Sequence, residues 1–457
     1  MFLYQPEDTI TALATANGIA AIGVIRVSGP ETYAILDALF TGKKPSEQAS
    51  HTVHFGRIKD GDQELDEVLL TLFKGSKSYS GQDTIEISCH GSPYIQERIL
   101  ELLITKGCRM ASPGEFTLRA FLNGKLDLSQ AEAVADMIAA DSDGALKTAL
   151  YQMKGGFGKE ISALRAELID FASLIELELD FSEEDVEFAD RDALVKLIEK
   201  ILLATQKLIA SFRFGNVLKN GYATVIAGKP NAGKSTLLNA LLNEERAIVS
   251  EIAGTTRDTV EEAIQLNGVL FRFIDTAGIR QDSDSEIEKI GIGRALEKIK
   301  SSAILIYLFD ASSESVESVE EEISRIDLGG TKLILVANKV DSASAEIQEN
   351  LKKRRDILNI SAKEKDIESL VIALNDLAKE ANLGSTGSTV SNIRHLEALS
   401  ATDKALQAAL NGITSGLSGD LLAEDIRSAI HHLGDITGEI TPDDLLGNIF
   451  GKFCIGK

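Results

Sequence analysis

Residues 228–235 read Gly-Lys-Pro-Asn-Ala-Gly-Lys-Ser, which is the pattern G-x-x-x-x-G-K-[ST]. The strand-like run 222–227 precedes this stretch, and the helical pattern 236–242 follows it. Strand, glycine-rich loop and helix in this order form a cradle for phosphate groups, so we expect a phosphate-binding loop here. Lys234 is expected to reach the β- and γ-phosphates, and the Ser235 hydroxyl to bind Mg²⁺. The expected loop contacts are Asn231, Ala232, Gly233, Lys234, Ser235 and Thr236.

A second motif follows the strand-like run 270–274 and reads Asp275-Thr276-Ala277-Gly278. An acidic residue at this strand end is expected to hold Mg²⁺ through water. Gly278 lets the backbone approach the γ-phosphate. This motif therefore supplies the terminal-phosphate side of a nucleotide site.

Two later motifs predict the base that the site recognises. Asn338-Lys339-Val340-Asp341 follows the run 332–337, and Ser361-Ala362-Lys363 follows the run 357–360. Asp341 can accept from both N–H groups on one edge of guanine, whereas adenine presents a different edge. Backbone N–H groups of 361–363 are expected to close over the base. The four motifs, in this order and each at a strand end, predict a GTPase domain.

The segment 248–258 is interpreted as the first switch region. A threonine hydroxyl there completes Mg²⁺ coordination when the γ-phosphate is bound, and Thr256 is the candidate. The nucleotide contacts expected in this segment are Ser250, Glu251, Ile252, Ala253, Gly254, Thr255 and Thr256. Asn267-Gly268 is a hairpin turn signal that sets the runs 260–266 and 269–274 side by side between the two switches.

The water-orienting group is not at its usual Ras-like position. The residue after the Asp-x-x-Gly motif is Ile279, which cannot hydrogen-bond water. Glu286 and Glu288 are the alternatives, although acidic residues in the first turn of a helix also complement its dipole. Arg257 is a candidate arginine finger and is equally able to pair with Asp258.

Beyond the GTPase motifs, four further segments make almost the whole chain resemble the MnmE (TrmE) family of tRNA-modification GTPases. The segment 20–29 resembles the family's folate-binding segment. The segment 84–91, which contains Glu86, and the segment 113–128 are also similar to the family. The chain ends in Phe453-Cys454-Ile455-Gly456-Lys457, which is similar to the family's C-terminal signature.

For GTP hydrolysis, the resemblance implies a K⁺ ion beside the β- and γ-phosphates. Such an ion supplies fixed positive charge where negative charge develops in the reaction. The positions that match the family's K⁺ ligands are Asn231, Ser250, Ile252 and Thr255. Glu288 aligns with the family's water-orienting glutamate, and Glu286 keeps a smaller claim.

The resemblance also implies a site for 5,10-methylene- or 5-formyl-tetrahydrofolate. Its contact positions match Arg26, Glu86, Lys125 and Lys457. A pterin shows a guanine-like donor edge to a carboxylate such as that of Glu86, and cationic side chains suit the folate carboxylates. Taken alone, His90 beside a glycine turn is either a base or a structural residue.

Cys454 has three open interpretations. Its distance from the end matches a prenylation box, but Gly456 and Lys457 are atypical of one, and no polybasic stretch precedes it. A thiol delivered to the folate site and a small buried residue are the other two. We expect the first of these two, a functional group on a mobile tail.

The resemblance implies a homodimer that works with the flavoprotein MnmG in a heterotetrameric or larger complex. Together they would install an aminomethyl or carboxymethylaminomethyl group at carbon 5 of the tRNA wobble uridine. The alternative is a switch-type assembly GTPase, for example in ribosome maturation, with no one-carbon chemistry. A membrane-remodelling GTPase is disfavoured because the helical segments lack a basic amphipathic face.

Composition limits the class of protein. The formal net charge of −23 argues against broad non-specific binding of nucleic acid, but leaves room for a local tRNA contact. No run approaches the ~18 apolar residues that span a membrane, and residues 1–30 lack the regions of a signal peptide. Three cysteines without paired spacing fit a reducing cytoplasm and give no zinc pattern.

The predicted architecture is multidomain, part α/β and part all-α. Residues 1–122 are interpreted as an N-terminal α+β domain for dimerisation and folate binding. Residues 123–215 and 383–457 form two parts of a helical domain, the second carrying the Cys-Ile-Gly-Lys tail. Residues 216–382 are interpreted as a Ras-like P-loop GTPase domain inserted into the helical domain. Such an insertion requires that the two ends of the inserted domain lie close together.

Overall fold

The computed structural model describes residues 8–180, 190–243, 248–250, 261–274, 299–300, 302–384, 389–415, 419–439, 443–451 and 453–456. The chain divides into two compact units. The first comprises Met1–Ala135, Gln152–Ile198 and Lys404–Lys457. The second comprises Asp136–Tyr151 and Glu199–Asp403.

The described elements are numbered in chain order. The strands are β1 (Ile10–Leu13), β2 (Ile22–Ser28), β3 (Phe40–Thr41), β4 (Thr52–Asp60), β5 (Gln63–Phe73), β6 (Thr84–His90), β7 (Arg109–Met110), β8 (Tyr222–Ala227), β9 (Ile248–Ser250), β10 (Glu261–Leu266), β11 (Val269–Ile274), β12 (Ile304–Asp310), β13 (Lys332–Asn338) and β14 (Ile357–Asn359). The helices are α1 (Thr32–Leu39), α2 (Pro93–Thr105), α3 (Glu115–Leu122), α4 (Leu128–Ile138), α5 (Asp143–Met153), α6 (Gly156–Asp180), α7 (Arg191–Asn220), α8 (Lys234–Leu242), α9 (Val316–Ser324), α10 (Ala345–Lys353), α11 (Glu368–Gly384), α12 (Ile393–Ser415), α13 (Gly419–Thr437) and α14 (Asp443–Phe450).

A mixed sheet forms the centre of the first unit, in the order β3-β4-β5-β6-β2-β1-β7. Every neighbouring pair is antiparallel except β1 with β7. Alternating apolar residues such as Val68, Leu70 and Leu72 bury one face under α1 and α2. The opposite face carries Arg26 on β2 directly across from Glu86 on β6.

The sheet of the second unit has the order β14-β13-β12-β8-β11-β10-β9. The five strands from β14 to β11 are parallel, and β10 and β9 continue antiparallel. Buried residues of α8 and α11 cover one face, and those of α9 and α10 cover the other. In a parallel sheet covered on both faces, ligands bind beyond the carboxyl ends of the strands, which is where the loops after β8, β13 and β14 lie.

The architecture matches the predicted fold class: an α+β N-terminal part, helical segments and a parallel P-loop sheet. The predicted strand before the phosphate loop is β8, without change of bounds. The next helix begins at Lys234, two residues before the predicted start, because Gly233 ends the loop in the left-handed region with φ 101°. The Asn267-Gly268 turn joins β10 to β11, with φ values of 48° and 77° that fit a type I′ hairpin.

In the N-terminal part, the sequence patterns identified only some elements. The helical pattern of residues 94–106 corresponds to α2, and the strand-like runs 20–27, 68–73 and 84–89 correspond to β2, β5 and β6. The patterns missed β1, β3, β4, β7, α1 and α3, most of which are short. Within the described part of the chain, no helix is both long and apolar enough to cross a bilayer.

Candidate functional site

The phosphate loop keeps its shape because three of its residues adopt backbone conformations with positive φ. Gly228 has φ 145°, and a Cβ atom there would lie 1.9 Å from the carbonyl oxygen of Leu308. A Cβ atom on Gly233 would lie 2.3 Å from Nδ2 of Asn338. Asn231 has φ 64°, which asparagine tolerates better than most residues. The glycines are therefore required by close approach as well as by conformation.

Lys234 lies at the first residue of α8, with its ammonium group turned into the loop. Its Nζ donates to the carbonyl oxygens of Gly228 at 2.8 Å and Lys229 at 2.9 Å. Burial lowers the pKa of this amine because the charged form loses water. The hydroxyl-bearing residues Ser235 and Thr236 follow and are exposed at the helix start. The helix terminus thus offers backbone N–H groups, hydroxyls and one amine to an anion.

Asn338 joins the phosphate loop to the base-recognition loop. The residue is 2% exposed, and its Nδ2 donates to the carbonyl oxygen of Ala232 at 2.7 Å. The N–H of Ala362 donates to its Oδ1 at 3.0 Å. One buried side chain therefore holds two of the predicted motifs at a fixed separation.

The loop expected to bind the base carries the carboxylate of Asp341, which accepts two hydrogen bonds from serine hydroxyls. Asp341 Oδ1 accepts a hydrogen bond from Ser361 Oγ at 2.6 Å, and Oδ2 accepts one from Ser342 at 2.9 Å. The Ser361 bond, followed by the Ser342 bond, lowers the pKa of Asp341. An exposed, ionised carboxylate is the acceptor that two guanine N–H groups require. Lys363, two residues after Ser361, is also exposed.

Lys339, the lysine of the same motif, pairs with an acidic residue that the sequence patterns did not identify. It has φ 60°, and its Nζ lies 2.6 Å from Oδ2 of Asp310. Asp310 is the last residue of β12. The available signal was an acidic residue at the carboxyl end of a buried strand, where ligand sites of parallel sheets gather.

Several predicted site residues lie outside the described residues. They are the first-switch positions from Glu251 to Thr256, the residues Asp275, Thr276, Ala277 and Gly278, the two acidic candidates Glu286 and Glu288, and the terminal Lys457. Arg257 and Ile279 are also outside them. Ser250 ends β9, and only its backbone is described.

A second polar site lies on the open face of the first unit's sheet. Arg26 donates from Nε and Nη2 to the same oxygen of Glu86, Oε1, at 3.0 and 2.7 Å. Two aromatic rings flank the guanidinium, with the Tyr79 and Phe116 centroids 5.5 and 5.4 Å from its central carbon. Neither ring is at a predicted folate-contact position. Period-two alternation on β2 and β6 gives the face of Arg26 and Glu86, but the rings come from other segments.

The C-terminal tail reaches this site. Phe450 and Phe453 pack into an apolar cluster on α3 and α4. Gly114 has φ 68° and donates its N–H to the carbonyl oxygen of Cys454 at 3.4 Å. Two residues on, the Gly456 carbonyl oxygen accepts from Arg26 Nη1 at 3.3 Å. The structure therefore brings the tail to the Arg26–Glu86 pair, with the thiol of Cys454 exposed.

Lys125 and His90 have other partners. Lys125 Nζ donates to the carbonyl oxygen of Ser76 at 2.8 Å. His90 Nδ1 lies 2.7 Å from Oδ1 of Asp66, whose Oδ2 accepts the backbone N–H of His90 at 2.8 Å. The buried carboxylate fixes the orientation of the imidazole, so His90 is at least a structural partner of Asp66.

The similarity to known proteins extends over most of the chain. Residues 9–125 match the family model of the GTP-binding protein TrmE N-terminus, and residues 128–454 match that of the MnmE helical domain. A tRNA modification GTPase MnmE from Cytophaga hutchinsonii is 52% identical over 451 residues, covering 98% of each chain. The protein of that name from Christiangramia forsetii is 51% identical over 472 residues, covering 99% of each. The one from Bacteroides thetaiotaomicron is 49% identical over 467 residues, covering 99% of this chain and 100% of its own. Two family models and near-complete coverage at about half identity show that the chain belongs to the MnmE family of tRNA modification GTPases.

Proposed function

We propose that this chain hydrolyses GTP in a K⁺-dependent manner and, with MnmG, modifies carbon 5 of the tRNA wobble uridine. The product group is aminomethyl or carboxymethylaminomethyl, and the one-carbon unit comes from a tetrahydrofolate. GTP hydrolysis and a role in tRNA modification follow from the family. The observation that supports the folate-dependent chemistry is the Arg26–Glu86 pair, which the C-terminal tail contacts.

Two observations in the phosphate loop support the need for an external cation. Lys234 is the amine that the phosphates engage, whereas the amine of Lys229 in the same loop is paired with two carboxylates. Asn231 is exposed at the loop tip, where its amide oxygen can bind a monovalent ion. With Ser250, Ile252 and Thr255 it forms the proposed K⁺ site, and Ser235 and Thr256 form the Mg²⁺ site. Glu288 is the proposed water-orienting residue.

The residues of the open sheet face fit a folate. Both hydrogen bonds that Arg26 donates to Glu86 fall on Oε1, so Oε2 retains its capacity to accept from a pterin donor edge. The rings of Tyr79 and Phe116 offer flat apolar surfaces beside the guanidinium. Lys125 and Lys457 would meet the folate carboxylates. When bound, the folate supplies the one-carbon unit, while these side chains orient it and the tail limits access of water.

The same sheet face favours a homodimer. Phe55 on β4 lies across from Leu69 on β5, and Val53 is two residues along β4. All three are exposed, Phe55 to 64%. Leu69 is in turn paired with Ser88, two residues from Glu86 on β6. An exposed apolar patch continuous with a polar site is typical of an interface that completes the site.

The chain has domains with the proposed limits 1–122, 123–215, 216–382 and 383–457, and the GTPase domain is inserted into a helical domain. We also propose a heterotetrameric or larger complex with MnmG and action in the cytoplasm. Cys454 is exposed beside the Arg26 site, which is compatible with a chemical role for its thiol.

Reconstitution tests this proposal. The purified chain, MnmG, unmodified tRNA, GTP, methylene-tetrahydrofolate and a nitrogen source are incubated in K⁺ or in Na⁺. We expect modified wobble uridine and fast GTP hydrolysis only in K⁺, and no modification without the folate. Equal rates of GTP hydrolysis in both salts would contradict the K⁺ site. Modification of the tRNA without the folate would contradict the folate as source of the one-carbon unit.

A further inference from the structure

Lys229, the second residue of the phosphate loop, is held by two carboxylates. Its Nζ lies 2.9 Å from Oε2 of Glu314 and 2.7 Å from Oε1 of Glu322. The main chain of the same residue accepts from Lys234 Nζ at 2.9 Å and from the N–H of Ala232 at 3.3 Å. Any shift of Lys229 therefore moves two groups that face the phosphates.

Glu314 is largely buried and has a second partner. Its side chain is 11% exposed, and Oε1 accepts the backbone N–H of Asp310 at 3.2 Å. Asp310 is the residue whose carboxylate holds Lys339 of the base motif at 2.6 Å. A continuous path of polar contacts thus runs from Lys229 through Glu314 and Asp310 to Lys339.

Glu322 holds Lys229 from the helix that follows. It belongs to α9, and Tyr307 on β12 donates its hydroxyl to Oε2 at 2.6 Å. The carboxylates raise the pKa of Lys229, Glu322 first, so the amine remains charged. One oxygen of Glu322 thus binds the phosphate loop and the other the central sheet.

We propose that Glu314 is a positioning residue for GTP binding, joining the phosphate loop at Lys229, through Asp310 at the end of β12, to Lys339 of the base motif. Glu314 contacts no nucleotide group itself and acts through these neighbours. With Glu314 in place, the two halves of the site stay at the spacing of a guanine nucleotide before the ligand arrives. The proposal rests on GTP binding alone and is independent of the tRNA and folate chemistry.

Charge-matched variants of the full chain test this role. In Glu314→Gln the carboxamide still accepts from the N–H of Asp310, but one of the two charge partners of Lys229 is lost. We expect GDP to dissociate about tenfold faster, the typical effect of losing a charge-assisted contact. Fluorescent GDP release by stopped flow gives the rate, and steady-state hydrolysis in K⁺ gives the KM-against-kcat split. KM should rise while kcat stays within about twofold, because binding is weakened equally before and at the transition state.

Two further variants separate positioning from general stability. Lys229→Met loses both carboxylate contacts, so it should speed GDP release at least as much as Glu314→Gln. The double variant Lys229→Met with Glu314→Gln should be no faster than Lys229→Met alone. Lys229→Arg should keep the rate of GDP release within about threefold of that of the native chain, since the positive charge remains. The matched control is Glu321→Gln, the same change on α9 at an exposed pair with Arg325.

The outcomes divide cleanly. The positioning role of Glu314 is supported if GDP release is faster in both single variants, the effects are not additive in the double variant and the control is unchanged. Unchanged release in Glu314→Gln, or additive effects, would overturn it. A parallel fall in kcat and melting temperature would also overturn it, since that marks a structural role only. None of these results bears on whether the chain modifies tRNA.

Discussion

The side-chain amide of Asn338 donates to the carbonyl oxygen of Ala232 at 2.7 Å, across 106 positions in sequence. Because Ala362 also donates to Asn338, the phosphate loop and the last base motif share one buried anchor. Asn338 is the last residue of β13, at the carboxyl end of the parallel strands where ligands bind. A residue that sequence patterns assign to base recognition therefore also holds the phosphate loop in place.

Replacing Asn338 by alanine is expected to weaken GTP binding and destabilise the second unit. Two buried backbone groups, the carbonyl of Ala232 and the N–H of Ala362, lose their hydrogen-bond partner. Each unsatisfied group costs about 1–3 kcal/mol. Calorimetric titration with GDP and thermal unfolding provide the two measurements. Asn350→Ala, at an exposed position on α10, is the control and should change neither. Unaltered GDP affinity in Asn338→Ala would count against the anchor.

Glu86→Gln is expected to reduce tetrahydrofolate affinity by about tenfold or more, since a charged acceptor is replaced by a neutral one. Arg26 also loses its ionic partner at 2.7 Å. Fluorescence titration with 5-formyl-tetrahydrofolate measures the effect. GDP affinity of the same preparation verifies that the chain is folded. Glu97→Gln, on α2, is the charge-matched control.

Gly456→Ala is expected to displace the tail from the sheet. Gly456 has φ 97°, and an added Cβ would lie 2.2 Å from the carbonyl oxygen of Leu13. Accelerated release of C-terminal residues by carboxypeptidase is the direct measurement, and wobble modification should fall in parallel. Ile455→Ala, at an exposed neighbour, should leave both unchanged. Normal protection of the Gly456→Ala tail would show that the contact with Leu13 is dispensable.

Thiol reactivity should depend on pH in a residue-specific way. Burial and then the nearby Asp66 raise the pKa of Cys89 to about 11, and burial raises that of Cys108 to about 12. Cys454 is exposed. At pH 8 iodoacetamide should therefore modify Cys454 first, and Cys89 should follow only as the pH approaches 11, where its thiolate forms. Peptide mass mapping of the alkylated chain checks this, and fast labelling of Cys108 at pH 8 would contradict the buried assignment.

Phe55→Asp is expected to convert the proposed homodimer to monomer, because a charge would be buried in the apolar patch with Leu69. Sedimentation velocity measures the state. Ala38→Asp introduces the same charge at an exposed position of α1, on the helix-covered side of the sheet. A dimeric Phe55→Asp chain would place the interface elsewhere.

The sheet of the second unit was predictable because its signals are local. Gly228, Gly233 and Lys234 occupy fixed positions in one loop, and each later motif follows an apolar run that forms β11, β13 or β14. The partners Asp310 and Glu314 were not predictable in this way. Their roles depend on which side chain lies opposite Lys339 and Lys229 once α9 has packed, and no short pattern encodes that.

The sheet of the first unit was less accessible to sequence reasoning. Two-residue strands such as Phe40–Thr41 and Arg109–Met110 are too short to carry a period-two signal. The Arg26–Glu86 pair depends on the register of β2 with β6, and the tail contact spans 430 positions. The resemblance to a family selected these residues, because no local pattern of charge or spacing brings them together.

The most direct test of the account is nucleoside mass analysis of total tRNA from cells that lack this chain. We expect the wobble-uridine modification to disappear, to return with the native chain, and to stay absent with Glu86→Gln. Unchanged modification in cells lacking the chain would contradict its role in tRNA modification. Full restoration by Glu86→Gln would contradict the folate site on the open sheet face.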